Sequence, residues 1–321
     1  MARVDELIKA RVDELINLIR AANDIYLINP ARNVRTAYIL IDNMCELAIK
    51  SYLQAKAKRN QEACRANLEA ANIVTTDGHR RSLQEYYSRK RTQAELETGL
   101  GATGGSLQAD LRNRLDSHQP LLDWSGGHKS FYHITCEVKR LDPLPANATL
   151  HAILDNLATR HERRNDFYHD PDMSGLTTSE EDCLRAFCAL YDLMSELFGE
   201  DYRDCLAGNH IARAQIAFIR LVLRGFSFQR VYEHWQAVVQ SMGKITLAPN
   251  SLGHTYRLIY EDPQGFYDEL CRYFGGLIRD NQTEIEHIDG LQRQKREQRL
   301  KRERLEKENR KLKDVVDTCL A

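Results

Sequence analysis

Hydrophobic residues recur every three or four positions through much of this chain, the spacing of α-helices that bury one face. A first helix is predicted over residues 3–27, with apolar positions at Val4, Leu7, Ile8, Val12, Leu15, Ile16 and Ile19. Asn29-Pro30 is predicted to end it. A second helix is predicted over residues 36–58, and its apolar face consists of Ala37, Leu40, Ile41, Met44, Leu47 and Ala48.

Three polar residues, Asp42, Asn43 and Glu46, interrupt the apolar run of the second predicted helix. An acid at such a position either faces solvent or lies partly buried against a cationic partner, because an unpaired buried charge is costly. The sequence alone leaves both interpretations open.

Two further helices are predicted over residues 150–169 and 177–199. The second has Thr178 and acidic residues at its start and Gly199 at its end, where such residues cap helices. The four helices predict one bundle over residues 1–199 with a long insertion at about 59–148. The predicted fold class is therefore all-α.

Two stretches of the insertion have compositions that also occur in ligand-binding segments. HRRSLQEYYSRKR, residues 79–91, is basic with interleaved tyrosines, which is typical of a solvated helix face or of a surface that stacks bases and contacts phosphates. GLGATGGS, residues 99–106, has the glycine spacing of a dinucleotide-binding loop. Because polar, helix-forming residues precede it where that site needs a strand, we interpret it as a loop.

The remainder of the chain is predicted to be helical as well. Residues 200–281 form a second helical unit, in which Gly225 and Ser227 separate two helices of a hairpin, with a DNA-reading helix-turn-helix as the alternative. Residues 282–321 predict a charged helix with a heptad register that places Ile288 and Asn309 at a positions. This is a coiled coil or, alternatively, a basic helix that binds RNA or an acidic partner.

Composition narrows the class of protein further. The chain is 42% hydrophobic and 28% charged, as in a soluble globular protein, and has no apolar run of about 18 residues that could span a membrane. Its N-terminal residues lack the features of a secretory signal, so a cytoplasmic location is expected. The eight cysteines show no metal-ligand spacing, which predicts reduced thiols and no metal. The net charge of −1 limits any nucleic-acid surface to a local patch.

The candidate chemistry lies in RHERRNDFYHDPD, residues 160–172. Pro171 predicts that the helix ends near His169, whose imidazole is suited to proton transfer near neutral pH. Asn165 is four residues before His169 and shares its helix face. The planar guanidinium of Arg164 is suited to binding two phosphate oxygens at once. These three residues predict metal-free cleavage of a phosphodiester.

Within this stretch, RNDFYH resembles the Arg-polar-x-x-x-His signature of the HEPN (higher eukaryotes and prokaryotes nucleotide-binding) family. AYILIDNMCELAIKSYL is similar to the second helix of that family, which has an acid in its middle, and TTSEEDCLRAFCALYDLMSELFG is similar to its fourth. The resemblance covers residues 1–58 and 149–199. It implies a HEPN-like four-helix bundle.

The resemblance implies an RNA-cleaving homodimer, often a toxin or antiphage defence effector, with its active site where two copies of the motif meet. It implies attack by the 2′-hydroxyl without metal or cofactor, leaving a 2′,3′-cyclic phosphate and a 5′-hydroxyl, so that DNA resists. Arg164 would hold the scissile phosphate, Asn165 would orient it and His169 would assist proton transfer. The residue that pins Arg164 in place would be Glu46 or, instead, Asp42 or Asn43.

The expected partners are RNA, a second copy that docks through the bundle or the tail, and an antitoxin or other regulatory protein. Tyr168 is a candidate acceptor if that partner modifies the chain. One alternative is a non-catalytic HEPN-like interaction or nucleotide-binding subunit of a larger assembly. Another is an inert helix end, in which Arg164 pairs with Glu46 or Glu162 and His169 caps the helix.

Overall fold

A computed structural model describes residues 2–88, 90–101, 105–122, 130–169, 179–227, 259–290 and 296–319. Across these ranges the chain is all-α, as predicted, and contains no strand. The helices are α1 Ala2–Ile28, α2 Pro30–Ala70, α3 Asp77–Tyr87, α4 Gln93–Gly99, α5 Gly105–Leu122, α6 Phe131–Leu141, α7 Ala148–His169, α8 Glu180–Gly208, α9 His210–Ser227, α10 Pro263–Asp289 and α11 Arg296–Cys319.

Helix α2 is longer at both ends than the predicted 36–58. It starts at Pro30, because proline has no N–H to lose in the first turn of a helix. It continues past residue 58, where the sequence holds no proline or glycine to stop it. After Ala70 the chain leaves the helix through Asn72, which has a φ of 57°, while Ile73 N donates to Leu68 O at 2.8 Å. Helix α2 thus extends into the segment predicted as an insertion.

That segment contains its own hydrophobic cluster, formed by the end of α2 with α3, α4 and α5. Its buried members are Cys64, Leu68, Ile73, Val74, Leu83, Leu96, Leu100, Leu111 and Leu115. Tyr86 and Tyr87 pack against this cluster, whereas Arg80 pairs with Glu69 at 3.1 Å. The tyrosines of residues 79–91 therefore contribute to a core. The basic residues between them match a solvated helix face better than a surface that stacks bases.

The glycine-rich stretch joins two helices, since α4 precedes it and α5 begins at Gly105. Gly101 has a φ of 64°, a conformation that glycine adopts without strain. Residues 102–104 lie outside the described part of the chain.

Helix α8 is broken where the sequence places its cap. Gly199 has φ 50° and ψ −119°, so the helix predicted to end there does end, and a second helical segment continues to Gly208. At the start of α8, Ser179 accepts a hydrogen bond from Asp182 N at 3.1 Å. The predicted cap Thr178 lies outside the described residues.

By contacts between residues, the chain divides into two units. The first consists of Met1–Val12 and Glu46–Ala158, and the second of Asp13–Cys45 and Thr159–Ala321. The boundaries predicted at 199 and 281 fall inside the second unit. Of the hairpin predicted around Gly225, α9 continues to Ser227, and the second helix lies outside the described residues.

The C-terminal helix packs within its own chain. Residues 282–289 belong to α10, and α11 begins at Arg296 and contacts both α10 and α9. Asn309 Nδ2 donates to Ile278 O at 3.4 Å, and Arg302 pairs with Asp289 at 2.7 Å. All the a and d positions from Gln298 to Val316 are buried or half-buried. The heptad thus identifies the buried face correctly, but the continuous helix predicted over 282–321 is interrupted, and α10 of the same chain covers that face.

Candidate functional site

The candidate site lies in the second unit, where the middle of α2 meets the end of α7. Leu150, Leu154 and Leu157 form the buried stripe of α7. The helical period continues that stripe through His161 and Arg164. Polar side chains therefore occupy a helix face that is apolar earlier in the same helix.

Asp42 is the central acid of the site. It is only 5% exposed, and its Oδ2 atom lies 2.9 Å from each of two nitrogens of α7, His161 Nδ1 and Arg164 Nε. A carboxylate buried to this extent remains an anion only where such partners replace water. An acid at this position could face solvent or lie buried against a cationic partner. Asp42 is buried and pairs with Arg164.

Three side chains fix the guanidinium of Arg164. Nη2 donates to Asn43 Oδ1 at 2.5 Å and Nη1 donates to Asn165 Oδ1 at 3.0 Å. The Nε contact with Asp42 is a close ion pair that lacks the alignment of a hydrogen bond. Because a guanidinium is planar, acceptors along its edges determine its orientation. The Arg164 side chain is also only 16% exposed.

Glu46, the first candidate for pinning Arg164, instead belongs to the first unit, where its carboxylate accepts from Lys50 Nζ at 2.5 Å. It lies one turn beyond Asp42, about 6 Å further along the helix axis. Lys50 is one turn further on the same face and provides the nearer cation. Asp42 and Asn43, the two other candidates, are the ones that contact Arg164.

The described backbone of α7 extends to His169, and the predicted stop at Pro171 lies outside the described residues. The side chains of residues 166–169 lie outside the described part of the structure, so the roles of His169 and Tyr168 stay predictions.

His161 is a site residue that the motif did not indicate. It lies three residues before Arg164 and one turn after Leu157. The signal that could have identified it is periodicity, because a polar residue at this spacing continues the buried face of α7.

The arginines beside the site connect α7 to the start of α8. Arg160 Nη1 donates to the carbonyl oxygen of Asp182 at 3.2 Å, and Arg163 pairs with the Asp182 carboxylate at 3.4 Å. Arg163 is 42% exposed, far more than Arg164. The two neighbouring arginines therefore have different environments, one at the surface and one covered.

Thiols and phenols near the site are held in their neutral forms. Burial raises the pKa of Cys45, with the Asp42 charge adding to the effect, and burial raises the pKa of Cys183 to about 12. Burial also raises the pKa of Tyr38, against the influence of Arg160 and Arg163. None of these three groups is therefore an activated nucleophile near neutral pH.

No group of three or more His, Cys, Asp or Glu side chains in the described residues has the arrangement of a metal site. Among the described helices, none is long and apolar enough to cross a membrane. No protein-family model, curated protein or solved structure matches this chain.

Proposed function

We propose that this chain is a metal-independent endoribonuclease of the HEPN type. The observation that supports the proposal is the attachment of Arg164 to Asp42 and Asn43. The resemblance to the HEPN family implies such a contact between the motif arginine and the middle of the second helix. A charged arginine held this way is ready to bind a phosphate, since its conformation is fixed before the substrate arrives.

In the proposed reaction, Arg164 neutralises the scissile phosphate and Asn165 orients it. Asn165 Oδ1 now accepts from Arg164 Nη1, and a phosphate oxygen would replace it because an anionic acceptor bonds a guanidinium more strongly than a neutral amide does. The 2′-hydroxyl attacks phosphorus and loses its proton with the assistance of His169. The bond to the 5′-oxygen breaks and that oxygen gains a proton, which leaves a 2′,3′-cyclic phosphate and a 5′-hydroxyl.

The proposal includes a homodimer, with the cleavage site assembled from two copies of the motif. It also includes a role as a toxin or defence effector, whose activity an antitoxin or regulatory partner controls. Light scattering of the purified protein at micromolar concentration tests the dimer, and a monomeric mass would contradict the composite site.

The coverage of Arg164 favours a second candidate, a non-catalytic interaction or nucleotide-binding subunit of a larger assembly. Each of the three guanidinium nitrogens contacts a side chain of the same chain, as in an arginine that only joins two helices. This candidate predicts stable complexes without RNA cleavage.

The two candidates are separated by incubating the protein with total RNA in EDTA. The wild type is compared with the Arg164→Ala/His169→Ala double variant and with Arg163→Ala, a matched control whose arginine is half-exposed and pairs elsewhere. Cleavage by the wild type and the control only, with cyclic phosphate ends and no cleavage of 2′-O-methyl RNA, is the expected result. Equal cleavage by the double variant, or none by the wild type, would refute the proposal.

A further inference from the structure

One carboxylate oxygen of the site serves two residues of α7. Asp42 Oδ2 lies 2.9 Å from His161 Nδ1 and 2.9 Å from Arg164 Nε. Because the two nitrogens meet at the same oxygen, a change at His161 alters the carboxylate that Arg164 contacts. The coupling needs no direct contact between His161 and Arg164.

His161 restricts a torsion that is otherwise soft. The carboxylate of an aspartate turns about a broad, roughly two-fold torsion, so a single partner does not fix where each oxygen lies. The His161 contact and the Arg164 ion pair converge on the carboxylate from one helix face and together define that torsion. The surroundings strengthen both contacts, since Asp42 is 5% exposed and His161 is 18% exposed.

The geometry also identifies the ring nitrogen that acts. Asp42 is an acceptor when ionised, so the contact at Nδ1 requires a proton on that nitrogen. The contact therefore requires the Nδ1–H form of the imidazole, whether the ring is neutral or charged.

We propose that His161 is a positioning residue: its Nδ1–H holds Asp42 Oδ2, and Asp42 in turn fixes the guanidinium of Arg164. The expected effect on cleavage rests on the proposed ribonuclease function, whereas the role of the Nδ1 proton does not. His161 itself does not contact the phosphate in this assignment.

Three substitutions test the donor at matched positions. His161→Asn retains an N–H at the same number of bonds from Cβ as Nδ1, His161→Gln moves that N–H to the place of Nε2, and His161→Leu removes it. The cleavage rate of total RNA is measured at limiting and saturating RNA. We expect His161→Asn to remain within about threefold of the wild type, and the other two to lose about 10- to 100-fold in kcat with little change in KM, as misorientation predicts.

The outcomes are distinguishable. Equal activity of all three variants would overturn the proposal, and so would an equal loss in His161→Asn and His161→Gln, which would indicate a role for the ring itself. Melting curves of the three variants identify any loss that comes from unfolding.

A second measurement decides the proposal even if the wild type cleaves no RNA. Long-range ¹H–¹⁵N NMR of the folded protein reports which ring nitrogen of His161 carries a proton. A protonated Nδ1 in the wild type, with a changed signal in Asp42→Asn, is expected. An unprotonated Nδ1 would overturn the positioning role, while a protonated Nδ1 in an inactive protein would refute only the ribonuclease.

Discussion

Replacing Arg164 by alanine removes the cation that compensates the buried Asp42 carboxylate. Breaking a buried ion pair by deleting one partner costs about 3–5 kcal/mol, because the remaining charge stays buried, whereas exposed pairs contribute about 0–1 kcal/mol. Asp42 is 5% exposed and Arg164 is 16% exposed, so this pair belongs near the buried limit. The contact with His161 Nδ1 remains and offsets part of the loss.

We therefore expect Arg164→Ala to lower the free energy of unfolding by about 3 kcal/mol, within the range for a broken buried pair. At about 2–4 °C per kcal/mol for a domain of 150–250 residues, the melting temperature falls by roughly 6–12 °C. Thermal unfolding followed by circular dichroism measures this change. Loss of cleavage in Arg164→Ala must accordingly be compared at a temperature where the variant is folded.

Two variants test the reasoning behind that magnitude. Arg163→Ala removes an arginine that is 42% exposed, and its cost should stay below about 1 kcal/mol. Adding Asp42→Asn to Arg164→Ala removes the uncompensated charge and should restore at least half of the lost stability. Equal destabilisation by the two arginine variants, or no recovery in the double variant, would refute the assignment of Asp42 as a buried charge that depends on Arg164.

Three further predictions concern the rest of the molecule. Hydrogen bonds from the Arg112 guanidinium and the Gln108 amide lower the pKa of Glu97 to about 2, so the folded state binds fewer protons than the unfolded state. The free energy of unfolding should have its full value above about pH 4.5 and fall as the pH decreases towards about 2. Urea unfolding at several pH values measures this change. Gly199→Ala should lower the free energy of unfolding in urea by about 1 kcal/mol, because φ is positive there. No neighbouring atom blocks the added Cβ, so backbone strain is the whole of the expected cost. Truncation after Gly290 removes α11 from the buried face of α10, so the melting temperature should fall.

Each of these has a control. Glu97→Gln should remove most of the loss of stability between about pH 4.5 and pH 2, and an unchanged pH profile would contradict the assignment. Gly208→Ala, at a glycine without positive φ and with open space at Cβ, should be nearly neutral, so an equal cost at both glycines would refute the argument from φ. A truncated chain that melts at the same temperature would show that α11 does not stabilise its own chain.

Local features of the fold were predictable because they depend on one or a few adjacent residues. The break of α8 at Gly199 follows from a positive φ that glycine tolerates, and the sequence places that glycine at the end of an apolar period. The end of α2 was not predictable in the same way. Nothing at residue 58 stops the helix, and its real end depends on the turn at Asn72, which no strong sequence signal marks.

Which residues and helices contact one another was harder to predict than which face of a helix is buried. The heptad identifies which face of α11 is buried, but the same register suits another chain or an earlier helix of this chain equally well. In the site, Asp42 and Glu46 share a helix face one turn apart, so spacing alone does not select between them. The arginine of α7 contacts Asp42 because of the position at which the two helices meet, which is a tertiary property.

The contact between Arg164 and Asn43 joins residues 121 positions apart. A ribosome adding about 5–20 residues per second needs roughly 6–24 s to cover that distance. During this interval the rest of α2 and helices α3 to α6 are synthesised, whereas Asp42 still lacks the cation of Arg164. The cluster lacks Arg164 until about half of the 321-residue chain has been synthesised, so fragments released by ribosomes that stall between residues 43 and 164 contain Asp42 and Asn43 but no assembled site.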